Sequence, residues 1–309
     1  MTTSDLALPD FDARALARRA VPAAALGAAA VVALVVAGGP FADALGRAAA
    51  ADPRWMTAAA GFEALSFVGY VALLWLVGGR ATPRLGLRES AQLTLGGAAA
   101  TRLLPAGGAG GVALTVWALR RAGLDARGAT RTLLGFLVVL YAVFLGAIVT
   151  AGAALALGGG PLAVGAVPAG AAGAAIAAAL VAAWRRIGVL GDAVRDAMRL
   201  VRGRDARLAG AFAWWGFDAA VLWAMLHALG HPPALSVVAL GYFVGQVANT
   251  IPVPGAVSGG MTGVLVACGV EADLALASVL AYRSVAIWLP APVGLAALSG
   301  LRRTVASWA

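Results

Sequence analysis

Four ionisable side chains stand deep inside apolar stretches of this sequence: Glu63, Arg102, Asp218 and Arg283. At ~1.5 Å per helical residue, Arg102 lies about 18 Å along its arm, Asp218 and Arg283 about 15 Å into theirs, and Glu63 about 12 Å. None of them reaches an aqueous interface easily, and a charge left unpaired against lipid costs roughly a few kcal/mol or more. Two are acidic and two basic, so mutual pairing is the economical expectation. Two roles fit such a set. The four can line a polar cavity, where they bind a charged headgroup or relay protons, or they can be structural pairs that fix helix register. Gln246 and Asn249 are three residues apart and share a helix face. They either satisfy backbone freed at Pro252 and Pro254 or face the same cavity.

Other chemistries find no support. No residue group has the spacing of a hydrolase triad, a zinc site or a Walker loop. The glycine-rich "PAGGAGG" at 105–111 lacks the Lys-Ser/Thr that a phosphate loop needs. Cys268 is the single cysteine, which excludes an intrachain disulfide, and His227 and His231 beside Pro232 and Pro233 read as interfacial polar residues. The expectation is a non-enzyme with no cofactor and no metal.

The composition says what must position these charges. Hydrophobic residues make up 61% of the 309 and charged residues 12%, against about 25% charged in soluble domains. Apolar runs of about 20 residues recur, each long enough to cross a bilayer. This is an all-α integral membrane protein. All 23 basic residues are arginine and the net charge is +9. In such a chain, basic excess first reflects orientation in the membrane and next an anionic lipid surface, not nucleic acid.

Six spans are expected, at about 21–39, 55–78, 129–157, 162–184, 208–230 and 273–300. The first reads as an uncleaved span because its apolar core is long and its leading segment extended. Two pieces do not fit as simple spans. Residues 90–121 and 234–270 each hold two short apolar arms around a break, at Pro105, Gly107 and Gly108 in one and at Pro252, Pro254 and Gly255 in the other. Each reads as a re-entrant helical hairpin. With the N-terminus inside, the basic segments 1–20, 79–89, 120–131, 185–207 and 301–309 all face the cytoplasm and hold 19 arginines. Two full crossings per hairpin preserve that sidedness as well. Residues 1–20 are then a cytoplasmic segment, 21–303 a single polytopic domain, and both termini lie inside.

The two hairpins resemble each other. "PAGGAGGV" at 105–112 aligns with "PGAVSGGM" at 254–261, "GLDA" at 123–126 with "GVEA" at 269–272, and "LLGF" at 133–136 with "VLAY" at 279–282. Upstream, "GFEAL" at 61–65 matches "GFDAA" at 216–220. Repeats of about 55–157 and 208–300 follow, opposite in orientation and linked by span 162–184 and the basic segment 185–207. Inverted repeats whose broken helices meet near the midplane are a recurring transporter plan.

"NTIPVPG", followed by "AYRSVAIWLPAPVGL" and preceded in the first half by "RLLPAGGAGG" and "LRRAG", resembles a known family over about residues 55–302. It is similar to the membrane domain of bacterial lysylphosphatidylglycerol synthase/flippases and their stand-alone relatives. The positions matching the family pattern are Asn249, Pro252, Pro254, Gly255, Tyr282, Arg283 and Pro290. The resemblance implies a protein of the bacterial cytoplasmic membrane that moves a lipid between leaflets, and it brings Tyr282 into the candidate cavity. The pattern departs at Ala256 and Ser258, where the family has glycines, and at Met261, where it has an acidic residue. The chain ends at Ala309 without a soluble aminoacyl-transfer domain, so the resemblance implies the membrane part alone.

The function expected is that of a lipid flippase or transporter for an anionic or headgroup-modified lipid. A small-solute or ion secondary transporter and a non-transporting accessory or scaffold protein are the alternatives. The expected partners are membrane lipids, anionic phospholipid at the cytoplasmic face above all, with no nucleic acid; self-association into a homo-oligomer is left open.

Overall fold

Pro53 supplies the first turn of the first described helix, while the Asp52 carboxylate accepts from the Arg54 N–H at 2.8 Å. Proline at the first helical position loses no hydrogen bond there, and the carboxylate satisfies an orphan donor. The computed structural model describes residues 51–103, 109–250 and 255–308. The expected first span at 21–39, the segment 1–20 and the break residues Pro105, Gly107, Gly108, Pro252 and Pro254 lie outside the described residues.

Among the described residues the chain is all helix and turn, with no strand. The helices are α1 (Pro53–Ala81), α2 (Leu87–Leu103), α3 (Ala109–Arg121), α4 (Ala126–Leu157), α5 (Leu162–Trp184) and α6 (Gly188–Arg202). After a short 3₁₀ turn at Ala206–Leu208 come α7 (Ala209–Leu229), α8 (Leu235–Val247), a second 3₁₀ turn at Ala248–Thr250, α9 (Ala256–Ala267), α10 (Ala272–Trp288) and α11 (Pro290–Ala306). Among the described residues, five stretches are long and apolar enough to cross a membrane: Pro53–Ala81, Ala126–Leu157, Leu162–Trp184, Ala206–Leu229 and Ala272–Ala306. They coincide with the last five expected spans. The arms α2/α3 and α8/α9, of 17, 13, 13 and 12 residues, fall where the two hairpins were expected. The protein is an all-α membrane protein.

Two details refine the expected spans and links. The stretch 273–300 is not one helix but α10 and α11, separated at Leu289. Pro290 has no N–H to give to Ala286, and its ring crowds that carbonyl, so the helix breaks and restarts with Pro290 in its first turn. The basic segment 185–207, read as a polar link, contains the amphipathic helix α6. Its Gly191, Ala193, Val194 and Ala197 are buried against α4 and α5, which masks the apolar stripe among its charges.

Helix packing follows the small residues. Antiparallel α1 and α7 cross so closely that a Cβ added at Gly210 would sit 2.2 Å from the Gly69 carbonyl oxygen. Gly152 and Gly165 bring α4 and α5 together in the same way, and Gly294 brings α11 against Leu95 and Ala99 of α2. In a bilayer, such small-residue contacts carry much of the helix association that the hydrophobic effect drives in water. α5 buries only Gly165, Ala172 and Ala183, so nearly its whole apolar surface faces outward.

The two hairpins share details. Their arms touch at Gly97 and Gly111 in the first, and at Gly245 and Gly260 in the second. Each is followed by a glycine in the left-handed region, Gly123 at φ 99° and Gly269 at φ 90°, just before the next span. The spans that follow are exchanged: α4, after the first hairpin, packs along α8 of the second, and α11 packs along α2 of the first.

Candidate functional site

Asp218 is placed by the α1–α7 crossing. Packing around it leaves 6% of its surface accessible, and that of Tyr242 and Tyr282 is 0% and 1%. The Tyr242 hydroxyl donates to Asp218 Oδ2, and the Tyr282 hydroxyl lies 3.3 Å from both Oδ1 and Oδ2. Gln246 Nε2 then donates to both phenol oxygens, at 3.3 Å to Tyr242 and 3.1 Å to Tyr282. The donors run in one direction, from amide to phenols to carboxylate. That polarity suits an ionised carboxylate, which only accepts. Bonds to a charged acceptor are the strong ones, and they offset part of the cost of burying it.

A cavity of about 590 Å³ opens beside this cluster. Its walls come from both hairpins and from the helices between them. The first hairpin contributes Gly97, Thr101 and Gly111, and the second contributes Gln246, Asn249 and the start of α9 at Gly255–Ser258. The Thr101 hydroxyl accepts from the Gly111 N–H at 3.0 Å and so joins the arms of the first hairpin at the cavity wall. Tyr141, Trp214 and Trp215 supply an aromatic side, and the Trp215 indole N–H is held by the Leu140 carbonyl at 2.9 Å.

Of the residues expected at such a site, Asp218, Gln246, Asn249, Gly255, Tyr282 and Arg283 all line this cavity. Arg283 is half-buried on α10, and it makes no ion pair among the described residues. Hydrogen bonds from tyrosine hydroxyls reach Asp218 among the described residues, and Arg283 lines the same cavity. Arg102 falls in the last turn of α2, and its side chain lies outside the described residues. Glu63 does not line the cavity. It is 2% exposed and stands one turn beyond Phe67, on the α1 face whose Phe67, Tyr70 and Leu74 do form the wall.

Tyr242 was missed. It stands four residues before Gln246 on α8, so the two share a helix face, which was the signal available. Pairing Gln246 with Asn249 alone hid it. Met261, at the position where the family pattern is acidic, is fully buried between the hairpin arms against Gly245 and takes no part in the cavity wall.

The arginine-rich segment around α6 carries a separate set of contacts. Asp196 of α6 receives a two-pronged bond from Arg131 of α4 and a second bond from Arg199. Asp205 pairs with Arg207 at 2.8 Å and Arg80 at 3.6 Å, while the Arg207 guanidinium lies 4.6 Å above the Trp75 ring. The Arg131 hydrogen bond holds the Asp196 carboxyl below its ordinary range, and Arg207 draws Asp205 down to about 2. Among the described residues no cluster of His, Cys, Asp and Glu has the makings of a metal site.

The family model for the lysylphosphatidylglycerol synthase TM region matches residues 21–294. No curated protein matches the chain.

Proposed function

The chain belongs to the lysylphosphatidylglycerol synthase transmembrane-region family, and from that premise we propose that it moves a phosphate-bearing lipid between the leaflets of the bacterial cytoplasmic membrane. One observation carries this reading: residues of both hairpins, with Asp218 and Arg283, line one cavity of about 590 Å³ within the helix bundle. A volume of this order suits a small ligand or headgroup. Arg283 gives a planar, permanently charged donor for a phosphate, and Asn249 and Ser258 add neutral polar contacts. The Trp214 and Trp215 side gives apolar surface to glycerol and the first chain carbons.

The proposed arrangement is an inverted repeat with both termini in the cytoplasm. The arginine distribution supports it, and so do the recurring hairpin glycines and the exchanged spans. Exposed Trp184, Ile187, Val189 and Leu190 beside Arg185 and Arg186 suit the level of anionic headgroups at the inner face. The buried Tyr–Gln–Asp cluster, which a scaffold would not need, favours transport over an accessory role.

The test is leaflet redistribution of headgroup- and chain-labelled lipids in proteoliposomes. The expected result is movement faster than in empty vesicles, lost on Arg283→Gln. Folded protein that moves neither anionic nor zwitterionic lipids above the empty-vesicle rate overturns the reading.

A further inference from the structure

Four rings form a row along the cavity wall: Tyr70 of α1, Trp214 and Trp215 of α7, and Tyr141 of α4. Tyr70 meets Trp214 with centroids 4.7 Å apart, Trp214 meets Trp215 at 6.1 Å, and Trp215 meets Tyr141 at 6.1 Å. The Trp215 N–H is taken by the Leu140 carbonyl. The Tyr70 and Tyr141 hydroxyls and the Trp214 N–H make no hydrogen bond among the described residues. Phenol and indole donors inside a protein are normally bonded, because an unmet donor away from water is costly. This row calls for acceptors, from water or from a ligand.

Position separates the two sources. Tyr141 stands half-way along α4, about 22 Å from its first residue. In a helix of 32 residues that crosses a bilayer, this is the level of the hydrocarbon core, not of the interfaces where tyrosine collects. Yet Tyr141 is 47% exposed. On α3, Val112 also lines the cavity and is 43% exposed. The other exposed lining residues, Asn249 and Gly255, flank the second break. The cavity therefore has a largely apolar rim on α3 and α4, at a depth where the surroundings are acyl chains. Such a rim, carrying one unmet phenol, fits the part of a diacyl lipid where ester carbonyls meet hydrocarbon.

We propose that Val112 and Tyr141 frame a lateral portal to the cavity, and that the Tyr141 hydroxyl donates to an ester carbonyl of the lipid in transit, so that the site selects ester-linked over ether-linked diacyl lipids. The proposal rests on the lipid reading above. With the headgroup on Arg283, the glycerol lies along Trp215 and the chains pass between Val112 and Tyr141 into the bilayer. An ether-linked lipid has no carbonyl to offer at the rim, and the Tyr141 hydroxyl then stays unmet.

A comparison of two lipids tests the proposal. Full-length protein in proteoliposomes is given headgroup-labelled diester phosphatidylglycerol, or its diether analogue with chains of the same length. Leaflet redistribution is timed for wild type, Tyr141→Phe and Val112→Trp, each corrected for empty vesicles. Wild type should move the diester about three- to tenfold faster than the diether, the worth of one neutral hydrogen bond. Tyr141→Phe should lose that preference by slowing the diester alone, because the ring keeps its contact with Trp215. Val112→Trp fills the rim and should slow both lipids with the melting temperature unchanged. Equal rates for the two lipids in wild type overturn the Tyr141 contact and leave the lipid reading standing. Equal slowing of both lipids by Tyr141→Phe also overturns it, since a purely structural hydroxyl would act that way. Unchanged rates in Val112→Trp overturn the portal. Movement of neither lipid above the empty-vesicle rate overturns the lipid reading and this proposal together. The wild-type comparison decides the ester contact even where a variant does not fold.

Discussion

Phe62 stacks on Phe217 at the α1–α7 crossing, with ring centroids 6.0 Å apart and planes within 19°. The two residues hold the same place in "GFEAL" and "GFDAA". Each therefore touches its own counterpart, as residues on a two-fold axis do. The carboxylates that follow them, Glu63 and Asp218, take different surroundings. Asp218 has Tyr282 where the matching stretch "LLGF" has Phe136, and Tyr242 and Gln246 join its cluster.

The crossing itself predicts a contrast between two glycines on one helix. A side chain at Gly210 meets the α1 backbone, whereas Gly216 has nothing within 4 Å. Gly210→Val should abolish a monodisperse peak in size-exclusion chromatography or lower the melting temperature steeply. Gly216→Val should leave both near wild type. Equal behaviour of the two variants would reject the close crossing.

Removing one hydroxyl from the cluster should register as stability. Tyr242→Phe keeps the ring packing but takes a donor from a buried carboxylate. A loss of about 1.5–3 kcal/mol is expected, the range for hydrogen bonds to charged groups. Denaturant titration in mild detergent measures it, and a change within error would show that the hydroxyl does not hold Asp218.

Arg283 should separate function from folding. It makes no ion pair among the described residues, so Arg283→Gln breaks no such bond while removing a cation from the cavity wall. Flipping should fall about tenfold or more with the melting temperature unchanged. Arg283→Lys should retain part of the rate, because a point charge replaces a planar fork.

Acid should loosen the contacts around α6 before the bundle. The Asp205 and Asp196 carboxyls are both held below their ordinary values, first by hydrogen bonds from Arg207 and Arg131. Groups depressed in this way stabilise the fold above the unfolded value of about 4. For Asp205 that contribution is lost as the pH falls toward about 2. A fluorophore on V201C, in a C268S background, should lose anisotropy across that window while the bundle's circular dichroism persists. No change in anisotropy down to about pH 2 would reject the linkage.

Much of this arrangement was legible in the sequence because its signals are local. Span length, the Pro/Gly breaks and the buried charges each show within one short window, and Asp218, Gln246, Asn249 and Arg283 were found that way. What escaped depends on contact between distant segments or on a competing pattern. Tyr242 looks like any interfacial or packed tyrosine until α7 brings Asp218 against it. α6 reads as a charged link because its apolar stripe is made of small residues that matter only beneath α4 and α5. Pro290 reads as tolerable near a span end, and the kink it makes becomes visible only once α11 must lie along α2. Glu63 looked equivalent to Asp218 because repeat patterns report position along a helix, not which turn reaches a cavity.

The exchange of spans between the hairpins sets an order for biogenesis. α2 leaves the ribosome early, yet the helix that it leans on, α11, is made after every other described helix. The second hairpin meets its support, α4, already in the membrane. The first hairpin must therefore wait in an unfinished bundle, its small-residue face uncovered, until synthesis is almost complete. Truncation anywhere before α11 would strand it in that state, and a membrane quality-control protease would find its target there.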